Sequence, residues 1–76
     1  MKIFQDMKTL GKVVEHVRKQ QGATQIELAQ ISKVGVRFVR DLEDGKPTIR
    51  IDKLMRVISV LGIALAYDLP PNMDEE

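Results

Sequence analysis

Gly22, Gly45 and Gly62 each stand directly after a run whose apolar residues recur at helical spacing, where a helix needs a C-terminal stop. A chain punctuated in this way folds as several short helices. The first opens at Asp6, a good N-cap, and carries Leu10, Val13, Val14 and Val17. Thr24 opens the second, and Glu27 three residues later completes a capping box. Leu28, Ala29 and Ser32 share one face of that helix. A third helix runs from about Val36 to Asp44, and Pro47 and Thr48 form a turn. A fourth follows, with Ile51, Leu54, Met55, Ile58 and Leu61 on one side.

After Gly62 the period changes. Ile63, Leu65, Tyr67 and Leu69 alternate with Ala64, Ala66 and Asp68, the pattern of a half-buried strand, and Pro70 and Pro71 end it. A lone strand in a helical chain leaves its backbone groups unpaired. Three outcomes fit: pairing with Lys2 to Phe4, pairing with the same strand of a second chain, or irregular coil packed on the fourth helix. The second chain is the favoured reading. The expectation is therefore an all-α fold of four to five helices with a short C-terminal strand pairing across a dimer. Residues 1–69 make one domain, and 70–76 make a short acidic tail that reads as disordered.

Composition supports a dimer. A chain of 76 residues buries only about 60% of the surface that its unfolded form exposes. It has no cysteine for a disulfide, and its single histidine, His16, builds no zinc site without carboxylate help. Oligomerisation is the remaining source of burial. Val57 and Val60, with Ile63, Leu65 and Tyr67, are the residues assigned to that contact, since the chain holds more apolar surface than one small core covers. Ile26 and Ile31 lie on the edges of the second helix's inner arc.

Twelve basic and eleven acidic residues give a net charge of +1. Asp68, Asp74, Glu75 and Glu76 crowd the end, so the body is more basic than the total. That permits an anionic partner without demanding one. Val57 to Tyr67 is too short to span a bilayer, and Asp6 ends any leader-like run, so a cytoplasmic protein is the default. There is no nucleophilic cysteine, no His–carboxylate set and no phosphate-cradling glycine loop, which argues against an enzyme. No cofactor is implied.

The stretch from Thr24 to Glu43 carries the function. Two short helices meet at a tight connection around Ser32 to Gly35, the spacing of a helix-turn-helix. On the third helix Val36, Val39 and Leu42 fall on one arc, and Arg37, Arg40, Asp41 and Asp44 fall on the other. Anchored by its apolar arc, such a helix presents two arginines to a DNA major groove, where arginine pairs with guanine O6 and N7. Phosphate contacts would come from the start of the second helix with Gln25, from Lys33 in the turn, and from Lys46 and Arg50 after the third helix. Asp41 either accepts from a cytosine or holds Arg37 at i−4.

Thr24-Gln25, Glu27-Leu28-Ala29, Val34, Phe38-Val39, Asp41-Leu42-Glu43, Gly45-Lys46-Pro47 and Leu61-Gly62 carry a further signal. Through these residues the chain resembles the phage-repressor-like (Xre/Cro-type) helix-turn-helix family, with its nearest likeness to small antitoxins of the HipB type. The resemblance spans about residues 7–69. It implies that Gln25 contacts phosphate or a base edge, that Gly35, Val36 and Arg37 begin the recognition helix, and that Arg37 and Arg40 read bases. It also implies that Lys46 holds backbone and that Arg18 pairs with Glu43. Two positions depart from the family pattern: Lys33 replaces a glycine, at a place that calls for positive φ, and Gly35 replaces a serine or threonine cap.

The resemblance further implies a homodimeric autorepressor on a palindromic operator of double-stranded DNA. Its two recognition helices would enter major grooves about 34 Å apart. A co-encoded toxin, a HipA-like serine/threonine kinase, is the implied protein partner. The alternative is an interaction module that sequesters a partner with little specific DNA binding, its acidic tail on a basic site.

Overall fold

The computed structural model describes residues 6–66 and 71. They form four helices: α1 (Met7–Gln20), α2 (Gln25–Ser32), α3 (Val36–Glu43) and α4 (Ile51–Leu61). Local signals set where they start. The Asp6 carboxylate accepts from the Thr9 backbone N–H at 2.7 Å. At α2 the Thr24 hydroxyl accepts from the Glu27 N–H at 3.0 Å, and Glu27 returns the bond to the Thr24 N–H at 2.9 Å. These backbone hydrogen bonds favour the ionised forms and hold both Asp6 and Glu27 below the usual carboxylate range.

All four helices stop in the same way. A residue with positive φ follows the helix, and two backbone bonds fold back onto its last turn. After α1 they run from Gly22 to Lys19 and from Ala23 to Arg18; after α3, from Gly45 to Leu42 and from Lys46 to Asp41. After α4 they run from Gly62 to Ser59 and from Ile63 to Ile58. After α2 the pair is Lys33 to Gln30 and Val34 to Ala29, with Lys33 at φ 58° where the other three turns have glycine.

Leu10, Val14, Leu28, Ala29, Val39, Leu42, Leu54, Val57, Ile58 and Leu61 are buried together, so every helix contributes to one core. α3 packs on α1 and α2, and α4 packs on α2 and α1. The approach of α1 to α3 is close enough to require a glycine. A Cβ added at Gly11 would lie 2.7 Å from the Glu43 carbonyl oxygen and nearer still to that of Leu42. At the other end of the bundle the Gln21 amide donates to the Leu61 carbonyl at 2.8 Å, which ties the end of α1 to the end of α4.

The structure corrects the reading of α4. Val57, assigned to a dimer contact, is fully buried in the core, because α4 turns its Leu54–Val57–Ile58–Leu61 arc inward. Ile51 and Met55, read as core-facing, flank that arc and stay 65% and 48% exposed. Val60 and Leu65 are exposed, and Ile63 packs half-buried against the core. There is no strand among the described residues, and residues 63–66 have no regular secondary structure. Tyr67 and Leu69 lie outside the described residues, as do all of the 70–76 tail but Pro71. No described helix is long and apolar enough to cross a membrane.

Helix propensity alone favours alanine over glycine by about 1 kcal/mol in a helix interior. Replacing Gly11 with alanine should nevertheless destabilise the protein by about 1–3 kcal/mol, the usual cost of over-packing. Urea unfolding read by circular dichroism measures the difference, and an unchanged or raised midpoint would contradict the close approach.

Candidate nucleic-acid interface

The base of the site is a buried ion pair. Arg18, on the last turn of α1, sends Nε to one carboxylate oxygen of Glu43 at 2.6 Å and Nη2 to the other at 2.9 Å. Its Nη1 donates to the Ala23 carbonyl at 2.9 Å. The Glu43 side chain is 1% exposed. A bidentate, charge-assisted pair of this kind fixes orientation as well as distance. It also raises Arg18 above its ordinary value, chiefly through the hydrogen bonding that Arg18 donates to the Glu43 carboxylate. Gln25, the first residue of α2, completes the cluster by donating its amide to Glu43 Oε1 at 2.9 Å. One carboxylate therefore joins α1, the α1–α2 connection, α2 and α3.

Upon that base α2 and α3 meet across residues 33–35. Val39 and Leu42 of α3 are buried, and Val36 is half-buried. Arg37 and Arg40 are both exposed. Among the described residues neither forms an ion pair. They are not equivalent. Arg40, with Val36, lines an open depression shared with Thr24, Gln25 and Ile26 at the start of α2. Arg37 stands on the outer ridge of α3, four residues before Asp41 and on the same side of the helix. Gly35 is the residue before the helix and makes no side-chain cap.

Several residues have partners that the sequence did not suggest. Asp41 meets Lys46 at 3.6 Å instead of Arg37. The turn at Gly45 causes this, because its fold-back bond from the Lys46 N–H to the Asp41 carbonyl brings Lys46 over the end of α3. Arg50 is held by Asp52 through bonds of 3.1 and 2.8 Å. Gln25 has given one amide hydrogen to Glu43, which leaves its carbonyl oxygen and second hydrogen for other contacts. Lys33 is exposed in its left-handed turn. Two further cations border the motif and were not singled out in the sequence. Arg56 donates to the Lys33 carbonyl at 3.4 Å, and the Lys53 ammonium lies 5.9 Å from the centre of the Phe38 ring. Both come from α4 by tertiary packing, so no local pattern marks them.

Residues 14–67 match the family model described as helix-turn-helix. The chain is 46% identical over 56 residues to the uncharacterized HTH-type transcriptional regulator y4mF of Sinorhizobium fredii, a match that covers 74% of each chain. Among solved structures, a chain of a HipA–HipB–O2–O3 complex has a TM-score of 0.82 with 18% identity, over 90% of this chain and 96% of that one. The clp gene regulator ClgR from C. glutamicum matches with a TM-score of 0.69 and 29% identity, over 78% of this chain and 76% of that one. At 18% identity the first of these likenesses is one of fold.

A lysine in the left-handed region pays a steric cost that glycine avoids, about 1–2 kcal/mol before the added flexibility of unfolded glycine is subtracted. Lys33→Gly should therefore raise stability by up to about 1 kcal/mol. The check is the urea midpoint at constant m-value, and a lower midpoint would show that the lysine side chain contributes more than the strain costs.

Proposed function

Because the chain belongs to the helix-turn-helix family of transcriptional regulators, we propose that it is a sequence-specific DNA-binding repressor, acting as a homodimer and serving as the antitoxin of a type II toxin–antitoxin pair. The observation that carries the DNA-binding part is α3 itself. It is a short helix with an exposed arginine ridge, locked from behind by the Arg18–Glu43 pair.

In this reading α3 enters the major groove. Arg37 is placed to donate to guanine O6 and N7, and Val36 supplies apolar contact to the bases beside it. Arg40 lies toward α2, where it reaches base edges near the groove wall. The phosphates run along the start of α2, whose free N–H groups and partial positive charge suit an anion. Gln25 adds its remaining amide hydrogen, and Gly35 lets the backbone approach closely. Lys33, Lys46 and Arg50 hold the flanking backbone, the last two by exchanging or sharing their carboxylate partners.

Two copies then bind a palindromic operator. Val60 and Leu65, exposed in one chain, together with Ile63 and Tyr67, are the proposed contact, with the segment from Ile63 to Leu69 pairing as a strand with its counterpart. The antitoxin role is supported by the fold shared with the HipB chain, which has been solved in a complex with HipA. The corresponding partner here is a HipA-like kinase toxin.

The test is a mobility shift on DNA from upstream of the protein's own gene. Wild type should retard it at moderate salt. Arg37→Ala should lose about 1–3 kcal/mol against that site, with little change on scrambled DNA. Failure of the wild-type protein to distinguish the two duplexes would remove the repressor reading. Co-purification with the product of the neighbouring gene, followed by relief of that product's toxicity, tests the antitoxin role separately.

A further inference from the structure

Among the described residues Asp41 has one ionic partner, Lys46, at a loose 3.6 Å. It lies in the second half of α3, where the helix dipole disfavours a negative charge. Its side chain is 31% exposed and makes no capping hydrogen bond among the described residues. It also does not orient Arg37, since its ionic partner is Lys46 at 3.6 Å. Yet it stands on the same outer ridge as Arg37, one turn further along, about 6 Å by helical rise. A carboxylate carried into a groove lined by phosphates is repelled unless it finds a donor there.

Building on the DNA-binding reading above, we propose that Asp41 is a specificity-determining residue that accepts a hydrogen bond from the exocyclic amine of a cytosine, one or two base pairs from the base read by Arg37. An ionised carboxylate offers acceptors only. Cytosine presents its N4 amine to the major groove without a neighbouring acceptor of its own, whereas adenine sets the N7 acceptor beside its N6 amine, which repels the second carboxylate oxygen. Guanine and thymine present acceptors to the same face and are rejected. Lys46 makes the arrangement tolerable: at 3.6 Å it offsets the negative charge without capping the carboxylate on every side.

The experiment is selection from a randomised duplex pool by the full chain, comparing wild type with Asp41→Ala, Asp41→Asn and Arg37→Ala. Thermal unfolding confirms that each variant is folded. The wild-type consensus should contain a cytosine next to the position that Arg37→Ala relaxes. Asp41→Ala should lose that preference alone, by roughly tenfold in discrimination, while total affinity stays level or rises. Asp41→Asn should move the preference toward adenine, which asparagine matches with both its donor and its acceptor. If Asp41→Ala binds every duplex more tightly with the consensus unchanged, the residue is only a screened surface charge and the proposal fails while the DNA-binding reading stands. If wild type selects no consensus, both fail together.

Discussion

One carboxylate, that of Glu43, holds the arrangement on which everything else depends. It receives two hydrogen bonds from Arg18 and one from Gln25, while Arg18 also binds the Ala23 carbonyl. The energetics make this more than a local tie. A chain of this length has a total stability of about 4–11 kcal/mol. Removing one member of a buried pair costs about 3–5 kcal/mol, because the remaining charge is stranded in a dry interior. Loss of either partner therefore takes away much of the stability. The same magnitudes show that the pair is not the cheapest way to stabilise a core, since apolar residues of the same volume often do as well. What it provides is direction. Three helices are fixed relative to one another at the point where α2 and α3 must present a single surface.

Above that base, the ends of the helices were legible in the sequence because they are local. Asp6, the Thr24–Glu27 box and the glycines at 22, 45 and 62 act within five residues of themselves, and the structure places each helix boundary within a residue or so of the boundary they imply. Lys33 obeys the same local rule, although only the family resemblance, which has a glycine at that position, pointed to it. A helix that ends by folding two N–H groups back onto its last turn needs a left-handed residue, whichever side chain is present, and at φ 58° a lysine occupies that place.

What the sequence left open was long-range. Seven of the eleven residues of α4 are apolar, so its inner face is wider than a helix can bury, and periodicity accepts more than one choice of arc. The packing of α1 and α2 chose Val57 and left Ile51 and Met55 outside. Gln25 offered a similar ambiguity: its amide suits a phosphate, yet 18 residues along the chain Glu43 takes one of its hydrogens. For Asp41, a spacing of four on a helix offered Arg37 as one of two partners. The turn at Gly45 instead folds Lys46 back onto that carboxylate. For α4 and Gln25 a partner distant in the chain decided the outcome, and for Asp41 the fold-back turn at Gly45 did.

The charge layout narrows how such a surface discriminates. Sequence-independent attraction to DNA grows with the number of phosphates neutralised. Here Lys46 and Arg50, two of the flanking cations, already face Asp41 and Asp52. Those two carboxylates lower the general pull toward any duplex. That shifts the burden onto hydrogen bonds made at base edges, where a wrong base leaves a donor or acceptor desolvated and unpaired. Low background affinity then has a use. Against a large excess of competing sites, selectivity depends on the ratio of specific to non-specific binding, and lowering the denominator serves it as well as raising the numerator. A reading surface with part of its charge offset, on a rigid base, raises that ratio at the expense of absolute affinity, which a second copy of the chain, engaging a second half-site, would restore.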